Sequence, residues 1–301
     1  MTKYSKFALI ASFMGLWMDS FFSNQIQIFI GFTLIFSLGI LHGANDMMLI
    51  ENVNSNKTPH SYIKLLCYYV LLVLLVALLF YYFPLLALTI FLVISGYHFG
   101  EQQWQNLPKY YSSWIRIAFQ FSYGSFILLL LFNFHSSEVQ RIIFEITSYS
   151  VPPNWYQKLL LFFVLVLTVF GIYFYINSKK IRKQLLVELF YLLVFAILFK
   201  SSSLIWGFAL YFVLWHSIPS IIDQTKFLYG TFDRPNFNRY IKSGLLFWVI
   251  SLVGLVLLFL LFRSEKIFNA LFFSFLAAIT FPHVLVIIKM FRRKSGNALQ
   301  N

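Results

Sequence analysis

Charge is what this chain has least of. Only 11% of its 301 residues are Asp, Glu, Lys or Arg, against about 25% in a water-soluble domain. There is too little polar surface to cover an aqueous core of this length, so a soluble fold is excluded. Acidic residues are scarcest: 10 Asp and Glu stand against 23 Lys and Arg, for a net charge of +13. The single cysteine, Cys67, excludes an intrachain disulfide framework and any cysteine-based metal cluster. With six histidines and no HxxxH or HxxHH grouping, the chain also lacks the ligand supply of a membrane di-iron desaturase.

What is present is hydrocarbon. Hydrophobic residues make up 60% of the chain, and the mean hydropathy is +0.77. Apolar runs recur at lengths of about 20 residues, enough to cross roughly 30 Å of bilayer core. We read an all-α, polytopic membrane bundle, one embedded domain over residues 1–301. Ten spans are expected, near 7–22, 25–41, 61–83, 84–100, 112–134, 156–177, 183–200, 201–222, 243–262 and 267–289. Pro84 marks a helix start, where its missing N–H costs nothing. The N-terminal stretch after Lys3 and Lys6 has the look of a signal peptide but no small-x-small cleavage site, and is read as a retained first helix. No internal repeat or low-complexity linker is evident.

The basic residues test this layout. With the N-terminus in the cytoplasm, five Lys and Arg fall on the far side: Arg141, Lys158, Lys200, Arg263 and Lys266. The other eighteen fall inside, densest at 179–183 and 292–294. The positive-inside rule expects such a bias, with an even number of spans and both termini cytoplasmic. The positive charge therefore belongs to membrane topology and anionic headgroups rather than to nucleic acid. Phe (38) and Tyr (18) are abundant; helix packing accounts for them more simply than a channel for a long conjugated ligand.

Four histidines stand out: His42, His98, His216 and His283. Each lies near the C-terminal end of an outside-to-inside span, about 15–18 residues and roughly 23–27 Å from its outer start. They are expected to share one layer in the cytoplasmic half of the membrane. Ionisable residues there are costly and mark function; for one such histidine alone, a hydrogen bond to a neighbour is an equally good account. Asp46 follows His42 by four residues, Glu101 follows His98 by three, and Asp223 follows His216 by seven. These carboxylates are either interfacial charges or acceptors for the second ring N–H of a ligating histidine. Gly43 is expected to admit a neighbouring backbone. Pro219 and Pro282 are expected to disturb the helix at His216 and His283. His60 and His135 are assigned to loops without a role. Imidazole-only ligation suits iron, copper, zinc or haem; zinc is disfavoured by the absence of cysteine partners.

The blocks LHGANDMMLIE, SGYHFGEQQW, LWHSIPSIIDQ and FPHVLVI together resemble the Brp/Blh family of β-carotene 15,15′-dioxygenases, in the family's order and spread over most of the chain. The resemblance implies an integral membrane enzyme of the cell membrane. Such an enzyme uses Fe(II) and O2 to cleave the central double bond of β-carotene into two molecules of all-trans-retinal, commonly for a microbial rhodopsin. The family's proposed iron ligands fall on His42, His98 and His216. Its further histidine, four residues after the third, is Ser220 here, and His283 is the residue at matching depth to complete a four-histidine site. Tyr97, Phe99, Trp104, Trp206, Trp215 and Phe281 are candidate walls for the polyene, with ordinary packing as the competing role for each. Two other readings use the same histidines. A haem-binding electron carrier would want ligands at two depths. A transporter would want an inverted repeat or paired broken helices; Pro219 and Pro282 keep that reading open.

Overall fold

The computed structural model describes residues 2–53, 59–152, 154–261 and 265–297. Among these residues there is no strand. The helices are α1 (Lys3–Asp19), α2 (Asn24–Leu34), α3 (Asp46–Val53), α4 (Pro59–Tyr82), α5 (Pro84–Gln103), α6 (Ser113–Phe134), α7 (Ser136–Thr147), α8 (Asn154–Asn177), α9 (Lys179–Ser201), α10 (Leu204–Tyr211), α11 (Ile218–Tyr229), α12 (Arg234–Leu261) and α13 (Glu265–Asn297). Two π-helical segments, Ile35–Gly39 and Phe212–Ser217, join α2 to the turn at His42 and α10 to α11.

Polar residues set the helix starts. Thr2, Ser23, Ser112 and Ser178 each accept a backbone N–H from three residues on, at 3.0, 3.4, 3.3 and 3.4 Å. A cap of this kind contributes about 1 kcal/mol. Pro84 opens α5 as expected, and Gly230, at φ +87°, closes α11 in a conformation that glycine adopts without strain.

Among the described residues eight helices are long and apolar enough to cross a membrane, and the chain is a helical membrane bundle. The eight correspond to the later eight expected stretches. The first two differ: α1 has 17 residues, and the run Asn24–Gly39 is shorter again. The stretch expected as a plain loop after α6 contains α7. Its Val139 and Ile143 are buried, while Glu138, Gln140 and Arg141 lie on its other faces. Such an amphipathic helix suits a membrane interface. His60 lies in the first turn of α4 rather than in a loop. His135 caps the end of α6, its Nε2 2.8 Å from the Phe199 carbonyl oxygen on α9. Lys57 and Arg263 lie outside the described residues.

The chain divides into two compact units, 1–35 with 95–144 and 149–216, and 36–94 with 145–148 and 217–301. In the first, α6 is the inner helix, 61% buried over its apolar window, and α8 beside it is the outer one at 6%. Their difference is what lipid as solvent dictates, because apolar side chains facing hydrocarbon need no protein cover. The α5–α6 crossing is close. A Cβ on Gly100 would collide with the Gln120 carbonyl, and one on Gly124 with the Gly96 carbonyl. Gly96 and Gly100 form a GxxxG stripe, the pattern by which membrane helices bring backbones together. In the second unit, α13 packs on α3 and α4. Leu49, Val286, Ile287, Met290 and Phe291 form its core there, and Leu41, Ile221 and Tyr240 form another.

Candidate metal centre

In the second unit the sequence brings together two histidines 241 positions apart. His42 sits in the turn that follows the π segment, and His283 sits on α13 one residue past Pro282. Both are buried, their rings 4.7 Å apart and perpendicular, with a nitrogen of each within 4.8 Å of the other. Their hydrogen bonds fix which nitrogen carries the proton. His42 Nδ1 bonds the Gly39 carbonyl oxygen, which can only accept, so Nδ1 is the donor. His283 Nδ1 lies 2.8 Å from Asp46 Oδ1 and donates to that carboxylate. In the neutral ring this leaves Nε2 of each with its lone pair, the form that ligates metal.

Asp46 therefore orients His283, not the histidine four residues before it on the chain. Its other oxygen accepts from Tyr69 Oη on α4 at 2.9 Å. Gly43 meets the His283 ring, with Nδ1 3.6 Å from where a Cβ would stand, rather than a neighbouring helix backbone.

The His42 turn is held from below. Gln224 Nε2 donates to the His42 carbonyl oxygen at 2.8 Å and to Ser220 Oγ at 2.9 Å. Gln224 Oε1 accepts from Tyr240 Oη at 2.8 Å. Asn45, in the same turn, donates to the Tyr240 carbonyl at 2.9 Å and accepts from Ser243 at 2.6 Å. Ser220 is thus a fully buried acceptor in this network. Asp223 is half-buried on α11, and Phe281 half-buried on α13.

In the first unit His98 on α5 and His216 in the second π segment form a like pair. Both are buried, with ring centroids 4.7 Å apart at 80°. Pro219 explains the local geometry at His216. It has no N–H to give the carbonyl four residues back, and the backbone there widens to π form, as helices often do at functional positions. Pro282, by contrast, is carried inside a continuous α13. Phe99 packs edge-on against His216 at 4.7 Å, and Phe212 stacks on it at 5.4 Å and 19°. Glu101 is buried and accepts from Tyr97 Oη at 2.9 Å.

Two of the three tryptophans named as candidate polyene walls, Trp206 and Trp215, have structural partners. Trp206 Nε1 donates to the Gly15 carbonyl at 3.1 Å, and Trp215 Nε1 to Ser12 Oγ at 2.9 Å. Both tie α1 to the α10 segment. Trp104 is buried just past the end of α5.

Several polar residues were not singled out from the sequence: Gln224, Tyr240, Tyr69 and Asn45 in one unit, and Gln103, Tyr123 and Glu188 in the other. Glu188 had a plain signal, a carboxylate inside the apolar run LLVELFYLLVF. The others are neutral polar residues whose partners lie far along the chain.

Apolar spans that bury imidazole pairs, one oriented by a carboxylate, define a multi-pass membrane protein with donors suited to a metal ion. The chain belongs to the beta-carotene 15,15′-dioxygenase family, whose model matches residues 33–291. That range takes in all four histidines. No curated protein and no solved structure matches the chain.

Proposed function

We propose that this protein is a membrane-embedded Fe(II) dioxygenase that cleaves the central 15,15′ double bond of β-carotene with O2, giving two molecules of all-trans-retinal. The observation that carries the metal reading is the pair of Nδ1–H bonds, His42 to Gly39 and His283 to Asp46. With Nδ1 donating, each ring in its neutral form carries the ligating lone pair on Nε2, and neutral imidazoles suit Fe(II) because they keep the ion's full charge. His42, His98, His216 and His283 are proposed to serve one ion, with Ser220 standing where relatives have a further histidine. The chemistry such an ion supplies is activation of O2 beside the polyene. Dioxygen adds across one C=C bond, that bond breaks, and each carbon leaves as an aldehyde; no protein acid or base is required.

The protein's own part is to orient and exclude. Asp46, Glu101 and Asp223 are proposed to orient the imidazoles. Tyr97, Phe99, Trp206, Trp215 and Phe281 are proposed to hold the polyene. A hydrocarbon substrate already dissolved in the bilayer enters sideways, which suits a site inside a helical bundle. We further propose one membrane domain in the cell membrane with both termini cytoplasmic, handing retinal to a microbial rhodopsin.

The test is expression in cells that accumulate β-carotene, with chromatography of the extracted polyenes and a His98→Ala control. Loss of β-carotene with appearance of retinal, abolished by the substitution, is the expected result. Intact β-carotene beside membrane-inserted, iron-loaded protein overturns the reading. An intense Soret band in the purified protein would move it to haem.

A further inference from the structure

Helix α1 lies before residues 33–291, so the family match assigns it no part. Its buried residues are Ser5, Ala8, Ser12 and Gly15, all small, while Phe7, Phe13 and Trp17 are exposed. Small residues let helices approach closely in a membrane, and α1 lies against α9 and α10. Two of its hydrogen-bonding side chains meet the consecutive residues just before His216. Tyr4 Oη donates to the Leu214 carbonyl oxygen. Ser12 Oγ accepts from Trp215 Nε1 at 2.9 Å and itself donates to the Ala8 carbonyl oxygen at 2.8 Å.

The Leu214 carbonyl is a special acceptor. Leu214 lies inside the π segment Phe212–Ser217. In π register a carbonyl pairs with the N–H five residues on. Five residues after Leu214 stands Pro219, which has no N–H. The π turn thus withholds a main-chain partner from this carbonyl, and a buried carbonyl without one is costly in a membrane. In an α-helix the partner would be the N–H of Ile218. A hydroxyl supplied from α1 therefore favours the π form over the α form. The difference matters to His216, because a π turn takes up one residue more than an α turn, about 100° of side-chain phase.

We propose that Tyr4 is a positioning residue for His216. Its hydroxyl serves the carbonyl that Pro219 leaves, holds the π turn, and so fixes the direction in which the imidazole is presented; Ser12 steadies Trp215 between them. That His216 is a metal ligand rests on the proposed function; the hold on the π turn does not.

The test uses the full chain in lipid nanodiscs. Tyr4→Phe keeps the ring and deletes the donor. Tyr110→Phe is the control, since it deletes a hydroxyl of the same unit whose bond, to Ser178 Oγ at 3.1 Å, does not involve the π segment. In the first arm no metal is present, and amide hydrogen exchange is read over residues 212–218. Exchange about two- to tenfold faster in Tyr4→Phe, the effect of one hydrogen bond, and unchanged in Tyr110→Phe, is expected. Pro219→Ala restores an N–H, so the main chain serves the Leu214 carbonyl itself, from residue 219 in π register or from Ile218 in α register. In that background Tyr4→Phe is expected to add little. In the second arm Co(II) is titrated into metal-free protein and its ligand-field bands are read. Bands that move in His216→Ala and in Tyr4→Phe, but not in Tyr110→Phe, support the positioning role. Folded Tyr4→Phe that exchanges like wild type, or whose effect is equally large in the Pro219→Ala background, overturns the proposal. So do bands that move in His216→Ala and stay fixed in Tyr4→Phe. Bands indifferent to His216→Ala would instead remove His216 from the proposed ligands, and the first arm would still decide the hold on the turn.

Discussion

Asp46→Asn isolates the orientation of His283 from its presence. The native carboxylate takes the imidazole N–H at 2.8 Å, a charge-assisted length, with the two side chains only 3% and 4% exposed. At that burial, solvent and salt screen the interaction little. The amide keeps the shape and an acceptor oxygen but removes the charge that raises the ring's basicity. Loss of such an outer partner lowers metal affinity about 10–100-fold, or roughly 1.4–2.8 kcal/mol. The assay is metal retained by detergent-purified protein against a graded chelator, wild type beside variant. Tyr69→Phe is the internal comparison. It deletes only the 2.9 Å bond to the other oxygen and leaves the charge, so its midpoint moves less than that of Asp46→Asn. An unchanged midpoint in folded Asp46→Asn would refute the claim that this carboxylate tunes a ligand.

Three further outcomes follow from the same geometry. Gln224→Leu removes the partner shared by the His42 carbonyl, Ser220 and Tyr240, leaving for the first and last the 3.4 Å contacts of Tyr240 Oη with the Leu41 and His42 carbonyls; a stranded buried group costs about 1–3 kcal/mol, so the melting temperature and metal retention fall together, and retention without loss would argue against a role for the turn. Gly100→Leu drives a side chain into the Gln120 carbonyl and lowers stability by about 1–3 kcal/mol or more, whereas Gly171→Ala enters open space and stays within about ±0.5 kcal/mol; thermal unfolding in micelles reads both. Asp233 accepts from Thr231 Oγ1 and the Asn236 backbone N–H at the start of α12, and these bonds hold its carboxyl below the usual carboxylate value. The carboxylate's contribution is therefore present above the unfolded value and disappears as pH falls through the lower folded one; a carboxyl carbon shift titrating at or above the ordinary value would contradict it.

The spans were legible because their signal is length and hydropathy, which need no partner. The first two were less so: they fold as helices shorter than the other eight, 17 residues in α1 and fewer in the run Asn24–Gly39. The histidines were legible because an imidazole in hydrocarbon is conspicuous by itself. Their orienting partners were not. Asp46 looked like the companion of His42 by helical spacing, but the chain turns at 42–45 instead of continuing as helix, and the carboxylate reaches His283 from across the unit. Pro219 did announce a disturbed helix, though not its π form; the same reasoning at Pro282 missed that α13 continues through it. Gln224 and Tyr240 left no local trace, because a neutral polar residue on an amphipathic helix looks the same whether it meets solvent or a carbonyl 182 residues away.

The central claim is iron-dependent cleavage at the middle of the polyene. The direct measurement is the product ratio from purified protein in lipid nanodiscs, given β-carotene and O2, as Fe(II) is restored after chelation. The account predicts retinal as the sole aldehyde, formed at about two per β-carotene consumed, rising with iron and absent without it. A pair of unequal aldehydes, or cleavage indifferent to Fe(II), would contradict it.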